Sequence, residues 1–456
     1  MASIGDLLSD ALGGDRVLTG DAIGDDYASD EALTAVATMP AAVVLPQSTA
    51  DVATALRICD EQRVPVTARG SGTGLSGAAV PVAGGVVVSF ERMRRVVEID
   101  TANHVAVVQP GVTLAELDEV TSQHGLVYPV FPGEYSASLG GNVATNAGGM
   151  RAVKYGVTRH QVLGLEAVLA NGEVIRTGGR FVKASTGYDL TQLIVGSEGT
   201  LALVTEATLR LYPRPAHQAT VMAPFRTLDE VTDAVPKIVA SGIGPLIVEY
   251  IDMLTLSAIT GHTGLDLGIP EDVKSSALAH LVVMMENAHA DRLDEDVQTL
   301  ATQLHELGAM DVYVLPPTAA VGLIEAREKA FWVAKANGAD DIVDIVIPRA
   351  SMAEFMAKVG DLATEHGSWI AGCGHAGDGN VHLSVFQKDR DKRDATLRGL
   401  FDLGMSLGGA ISGEHGLGTT KRKWFLELED PAKVALMRRI KGAFDPNGIL
   451  NPETIF

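Results

Sequence analysis

The stretch Arg69–Gly77, R-G-S-G-T-G-L-S-G, follows a strand signal (V-P-V-T-A, 64–68) and carries Gly72, Gly74 and Gly77 at G-x-G-x-x-G spacing. That spacing invites a nicotinamide-binding reading, in which a helix opening directly after the loop holds the pyrophosphate on its N-terminus. The residues that follow, A-A-V-P-V-A-G-G (78–85), contain a proline and two glycines and lead into another strand, V-V-V-S-F. No helix is expected there, and the dinucleotide reading falls. Consecutive amides of a glycine-rich loop still form an anion-binding nest without a helix, and the density of Gly, Ser and Thr here is high for an ordinary turn.

Upstream, residues 5–13 read as a short amphipathic helix, followed by an acidic loop through Asp30. A strand is expected at 41–46, and a helix starting at Ser48–Asp51 and running to about Gln62. Downstream come strands at 96–100 and 104–110 and a helix over Thr113–His124. A second small-residue segment, F-P-G-E-Y-S-A-S-L-G-G-N-V-A-T-N-A-G-G (Phe131–Gly149), permits close backbone approach to a large flat ligand. A third, V-G-S-E-G-T-L-A-L-V-T (195–205), runs into a strand, and P-R-P (213–215) marks a boundary. Three such loops in one domain suggest a long cofactor lying across it.

Beyond the boundary the pattern changes. Strands T-V-M-A-P-F, P-L-I-V-E-Y-I-D, H-L-V-V-M-M-E and D-V-Y-V-L alternate with helices near 227–241, 290–308 and 319–336. This spacing suits an α+β layer with one open sheet face. A last amphipathic helix, Pro431–Ala443, precedes the turn F-D-P-N-G.

The chemistry concentrates in G-H-A-G-D-G-N-V-H, Gly374–His382. Asp378-Gly379 suits a two-residue hairpin turn, which pairs Gly377 with Asn380, Ala376 with Val381 and His375 directly with His382. Imidazoles on one face at that spacing can grip one metal ion. Taken singly, each histidine is more readily a solvated or core residue. About thirty residues on, I-S-G-E-H-G (Ile411–Gly416) supplies a carboxylate and a third imidazole. A His, His, Glu set leaves coordination positions open, as catalytic sites do.

Composition bounds the rest. At 456 residues, 46% apolar and 20% charged, the chain is ordinarily globular. Its net charge of −21 argues against a nucleic-acid partner. Cys59 and Cys373 are the only cysteines, which excludes a disulfide framework and a cysteine-ligated iron–sulfur cluster. The N-terminus lacks the features of a signal peptide, and no apolar run approaches a spanning helix. The expectation is a cytoplasmic protein without a transmembrane segment, with peripheral attachment to a membrane left open.

With P-V-T-A-R-G-S-G-T-G, G-G-N-V-A-T-N-A-G-G, G-S-E-G-T-L, G-H-A-G-D-G-N-V-H, G-E-H-G-L-G and D-P-N-G-I-L-N-P in this order, the chain resembles the FAD-linked oxidoreductases of the vanillyl-alcohol oxidase/PCMH fold. Within these it is similar to the D-2-hydroxyacid dehydrogenase branch, which includes D-lactate dehydrogenases and the glycolate oxidase flavin subunit. The resemblance implies an α+β protein: a PCMH-type FAD-binding domain at 1–215 and a substrate or cap domain with an antiparallel sheet at 216–410. The segment 411–456 would return to complete the active site and the FAD domain.

The resemblance also implies site roles. Arg69, Gly70, Ser71, Gly72, Thr73 and Gly74 would wrap the FAD, together with Pro132, Gly133, Leu139, Gly140, Gly141, Asn142, Thr145, Asn146, Gly149 and Gly156. Glu198, Gly199, Val204 and Asn451 would sit near the ring system. Relatives with covalent FAD often carry His or Cys in the first glycine loop; this loop has neither, so dissociable FAD is expected. His375, His382 and Glu414 would bind a divalent metal, zinc first, with manganese or iron also suited to such ligands. His415 would be the catalytic base, its side chain pointing away from that of Glu414 in an extended segment. Hydride would pass from the substrate Cα to flavin N5. Arg327 matches the family position that clamps the substrate carboxylate; without that match an exposed helix salt bridge is the simpler reading.

The D-2-hydroxyglutarate branch places a Lys and an Asn where this chain has Ile342 and Ser384. An uncharged pocket argues for a smaller or more apolar acid, such as D-lactate, glycolate or D-2-hydroxybutyrate. The expected partners are this small 2-hydroxy acid and an electron acceptor drawn from quinones, cytochromes or electron-transfer flavoproteins; a homodimer is allowed. The alternatives are a D-2-hydroxyglutarate dehydrogenase, a sugar-acid or phenolic-alcohol oxidase, the flavin subunit of a glycolate oxidase-type complex, and a flavin-binding protein without turnover.

Overall fold

The computed structural model describes residues 2–456 and divides into two compact units. Unit 1 comprises Met1–Gly148, Val157–Arg214 and Glu414–Phe456; unit 2 comprises Gly149–Gly156 and Pro215–Gly413. Two boundaries differ from those expected. Gly149–Gly156 sides with unit 2 because Lys154 Nζ and Tyr155 Oη both bond Glu286 Oε1, at 2.9 and 2.6 Å. Residues 411–413 do so because Ser412 Oγ and Gly413 N donate to Asp344 Oδ2, at 2.7 and 3.1 Å.

Unit 1 holds two larger sheets and a two-stranded ribbon, Leu126–Val127 with Tyr212–Pro213. The first runs in the order Val17–Leu18, Ala42–Val44, Val86–Ser89, Val66–Arg69, with the last three strands parallel. Those three are almost wholly buried, with valine and alanine predominating, as strands covered on both faces must be. The helix Thr49–Gln62, capped by Ser48, buries Val52, Leu56 and Cys59 against them. Near the other end of the sequence, Leu450 bridges Val66 in parallel, with Val66 N donating to Ile449 O and Asn451 N to Val66 O, both at 2.7 Å. The second sheet, Val96–Asp100, Val105–Val108, Leu203–Arg210, Val162–Val168 and Val174–Gly178, is antiparallel throughout. The loop 70–85 contains no helix. The second glycine segment, read as loop, does contain one: Leu139–Thr145, which Ser138 starts and Asn146 ends in the left-handed region at φ 59°. An N-cap serine and close approach outweighed two glycines of poor helix propensity.

Unit 2 is built on a seven-stranded antiparallel sheet. Its order is Tyr313–Val314, His217–Phe225, Ala279–Asn287, Ile247–Asp252, Trp369–His375, Asn380–Phe386, Asp341–Val346. Side chains alternate between faces. One face carries Val248, Tyr250, Leu281, Val283, Val343 and Ile345, all buried, against the helices Leu228–Ala240, Ala290–Glu306, Met352–His366 and Arg390–Ser406. The other face was expected to be open. Instead the helices Met253–Thr263, Pro317–Glu328 and Ala330–Ala336 pack Ile259, Leu323 and Val333 onto Met222, Ile251, Val282 and Cys373. The single helix read over 319–336 breaks at Lys329. Among the described residues no helix is long and apolar enough to cross a membrane.

One histidine on this second face reports on the packing. His280 is buried beside Ile251, and burial pushes its pKa down to about 4. The unfolded chain therefore takes up a proton near pH 6.5 that the folded unit refuses. Its contribution to stability is whole above pH 6.5 and is lost as the pH falls toward 4. Between pH 7.5 and 4.5, wild type should lose roughly 2–3 kcal/mol more unfolding free energy than His280→Leu. Urea unfolding followed by far-UV circular dichroism measures this, and equal losses would remove His280 from the account.

Candidate functional site

The strand Val66–Arg69 delivers the chain into the first glycine loop, and the helix Leu139–Thr145 presents the second against it. The two are stitched by a reciprocal pair: Ser71 N donates to Ser138 Oγ at 3.3 Å, and Ser138 N to Ser71 Oγ at 3.0 Å. A Cβ at Gly70 would overlap the Ser138 hydroxyl, so glycine is required for the close approach. Gly140 N donates to Pro110 O at 2.8 Å, seating the helix on the second sheet's connection. Arg69 is buried, with Nη1 donating to Ser29 O at 2.6 Å and its guanidinium 5.9 Å from the Tyr27 ring centre. It anchors the loop's entry.

Between these segments runs a cleft of about 950 Å³. Of the residues implied for the cofactor, Gly70, Ser71, Gly72, Thr73, Gly74, Pro132, Gly141, Asn142, Thr145, Glu198 and Gly199 line it. Arg69, Gly140 and Val204 line an adjoining cavity of about 460 Å³. Gly133, Leu139, Asn146 and Asn451 line neither, and Gly149 and Gly156 belong to unit 2. Asn146 Oδ1 accepts from Arg159 N, and Asn451 Nδ2 donates to Ala78 O and Glu198 O at 2.9 and 2.7 Å. These two amides brace the walls.

Glu198 holds more than its expected place. It sits at φ 50° and is buried, its Oε1 accepting from Leu417 N at 2.9 Å and its Oε2 from Gly418 N at 2.8 Å. Burial raises its pKa even though both amides favour the anion. Ser76 Oγ lies 3.1 and 3.0 Å from the carbonyls of His415 and Gly416. G-E-H-G-L-G is thus pinned from both sides, and Glu414 and His415 line the cleft. The extended dipeptide expected here is not observed: the segment bends, and His415 Nε2 lies 3.8 Å from Glu414 Oε1.

In unit 2 the hairpin register differs from the expected one by two residues. A 3₁₀ turn, Ala376–Asp378, precedes Gly379 at φ 78°, so His375 opposes Asn380, and Cys373 opposes His382. Gly379 O accepts from Ile347 N at 2.9 Å, and a Cβ at Gly379 would strike the Ile347 carbonyl. A slip of two conserves the faces. His375 and His382 therefore still share one face, as diagonal neighbours, with ring centres 4.8 Å apart at 77°.

Residues the sequence reading passed over order this pair. Glu249, fully buried, places Oε1 2.5 Å from His375 Nδ1 and Oε2 2.8 Å from Arg327 Nη2. Burial alone would raise its pKa; the His375 and Arg327 charges outweigh that and hold it below its ordinary value. Asp344, also fully buried, opposes His382, accepts from Asn380 Nδ2 at 2.7 Å and takes the Ser412 and Gly413 donors described above. Arg327 is itself 8% exposed, so the simple surface salt bridge fails. A signal was available: Glu249 is the lone charge within the apolar strand P-L-I-V-E-Y-I.

Family models describing "FAD linked oxidases, C-terminal domain" and "FAD binding domain" match residues 214–455 and 40–178. The chain belongs to the FAD-linked oxidase family. It is 59% identical to an uncharacterized FAD-linked oxidoreductase of Mycobacterium tuberculosis, with 98% of each chain covered. It is 38% identical to a D-lactate dehydrogenase of Archaeoglobus fulgidus (94% of this chain, 95% of the other) and 37% identical to the glycolate oxidase subunit GlcD of Bacillus subtilis (92% and 89%). Its fold matches p-cresol methylhydroxylase with a TM-score of 0.81 at 20% identity, covering 99% and 96% of the chains. This FAD-linked oxidase-family chain has the PCMH-type two-domain fold.

The cleft fits FAD on its own terms. Its walls are glycine backbone and small side chains, and buried Asn142 turns an amide nitrogen with no protein acceptor toward it. Such a donor is costly unless a ligand accepts from it. The close approach of helix to sheet is equally needed: a Cβ at Gly140 would overlap Pro110 Cβ and lie 3.0 Å from Pro110 Cα and O. Gly140→Ala should weaken FAD retention about 5- to 150-fold (about 1–3 kcal/mol of overpacking). The absorbance ratio of purified protein at 450 and 280 nm reads this; unchanged flavin content would show that the approach does not set the cleft.

Proposed function

We propose that this family member oxidises a small D-2-hydroxy acid to the 2-oxo acid with dissociable FAD and the assistance of a divalent cation. The observation that carries the reading is the array at one sheet face of unit 2: His375 and His382 side by side, with one buried carboxylate, Glu249, ordering the His375 imidazole and the Arg327 guanidinium that the helix Pro317–Glu328 brings to that face. The relatives named for D-lactate and glycolate support the substrate class.

His375, His382 and Glu414 would hold the cation. Glu249 accepts the Nδ1–H of His375, which leaves Nε2 as the ligating nitrogen, an arrangement usual for metal-bound histidine. Zinc suits the set best, with manganese or iron as alternatives. When bound, the cation supplies Lewis acidity at the substrate oxygens and the flavin accepts two electrons.

The chain's own residues supply the rest. Arg327 pairs with the substrate carboxylate through its planar fork. His415, fixed through its backbone by Ser76, takes the hydroxyl proton as the Cα–H bond breaks with its electron pair. On the sheet face beyond His382 the next row is Ala371, Ser384 and Ile342, all uncharged. That row favours D-lactate, glycolate or D-2-hydroxybutyrate over a dicarboxylate. FAD is held without a covalent bond, since the loop 70–77 has no His or Cys and neither cysteine lines the cleft. The electron acceptor is a quinone, a cytochrome or an electron-transfer flavoprotein. The likeness to a glycolate oxidase subunit supports a second reading, a flavin subunit that works inside a multisubunit assembly.

Anaerobic addition of D-lactate or glycolate should bleach the flavin band, and L-lactate should not. Bleaching by L-lactate alone would overturn the stereochemical assignment. His415→Gln should slow reduction by roughly 10²–10⁴-fold with FAD retained. Chelator treatment or His382→Ala should abolish it, with the metal measured by mass spectrometry; full reduction after complete metal removal would sink the cation's role. Reduction without electron transfer to any soluble dye would select the subunit reading.

A further inference from the structure

We infer that Glu249 is a positioning residue that couples the carboxylate clamp to the metal-binding imidazole, so that occupancy of one sets affinity at the other. The inference rests on the function proposed above. Glu249 spends one oxygen on each group: Oε1 on His375 Nδ1 at 2.5 Å and Oε2 on Arg327 Nη2 at 2.8 Å. It is fully buried, and its cross-strand neighbour Val282, with Met222 beyond, is apolar. Water therefore does little to screen its charge, and the two partners share it.

The sharing has a direction. With its carboxylate drawn toward the charged Arg327, Glu249 pulls less strongly on the Nδ1–H of His375. When a substrate carboxylate neutralises Arg327, Glu249 turns its charge onto His375, Nε2 becomes a stronger donor, and the cation is held more tightly. Thermodynamic linkage makes this reciprocal: the cation tightens the substrate by the same factor. A glutamate that only fills space would transmit nothing.

The test uses metal-stripped, FAD-loaded protein titrated with Zn²⁺ against a chromophoric chelator, with and without D-lactate. Wild type should bind Zn²⁺ several-fold more tightly with D-lactate present. Glu249→Gln keeps the shape but not the charge; it should weaken Zn²⁺ binding about 10–100-fold, shrink the D-lactate effect to the part that direct coordination supplies and raise the KM for D-lactate. Arg327→Met leaves Glu249 to His375 alone and should tighten Zn²⁺ binding several-fold, although Arg327 is not a ligand. These opposite signs separate coupling from a structural role, which would weaken both variants in step with their Tm. Wild-type Zn²⁺ affinity in Glu249→Gln, or weakened affinity in Arg327→Met, overturns the inference; the second arm stands if Glu249→Gln does not fold. Wild type that takes up neither Zn²⁺ nor Mn²⁺ overturns the proposed function itself.

Discussion

The carboxylate of Glu198 is the constraint on which unit 1 depends. It lies out of water, on a backbone conformation that side-chain-bearing residues seldom adopt, and its oxygens accept from amides more than two hundred residues away in sequence. Buried acceptors of this kind are costly to leave unmatched, so G-E-H-G-L-G cannot drift from the cleft without stripping both oxygens of their amide donors out of reach of water. Ser76 closes on the same segment from the other glycine loop. The third glycine-rich motif, which reads as another stretch of cofactor cradle, is therefore also the anchor for the dipeptide that carries the candidate base.

Unit 2 solves a similar problem with a sheet. Strand parity sets which side chains share a face, and parity survives any register change by an even number. The candidate metal-binding histidines stayed on one face though their opposition was misread, because the turn consumed two more residues than a tight hairpin would. The apolar part of that face lies under helices, and its polar part carries Glu249, Asp344 and the two histidines. Core and candidate site are consecutive rows of one surface.

What the sequence made legible follows from where the information is local. Proline and glycine after Gly77 ruled out a helix, and apolar runs marked the strands. The hairpin was visible from Asp378-Gly379, but its register depended on Ile347, a residue thirty positions upstream that accommodates Gly379 only without a side chain. The purpose of Glu249 and Asp344 shows only in the residues the fold brings to them, His375 and Arg327 for the first, His382 and Ser412 for the second. Propensity disfavours a helix with two glycines over Leu139–Thr145, whereas packing against Pro110 demands one of them, Gly140. The assignment of Gly149–Gly156 to unit 2 turned on Glu286, far outside any motif.

The bridge between Val66 and Leu450 has a consequence for biosynthesis. The last strand of the first sheet, Val66–Arg69, obtains its outer hydrogen-bonding partner from Ile449–Asn451, so its edge stays unpaired until translation has passed through all of unit 2. Unit 2, contiguous apart from one short insertion, can compact on the ribosome first, while unit 1 waits with an adhesive margin. Nascent chains arrested before Asn451 are the species that chaperones would have to shield.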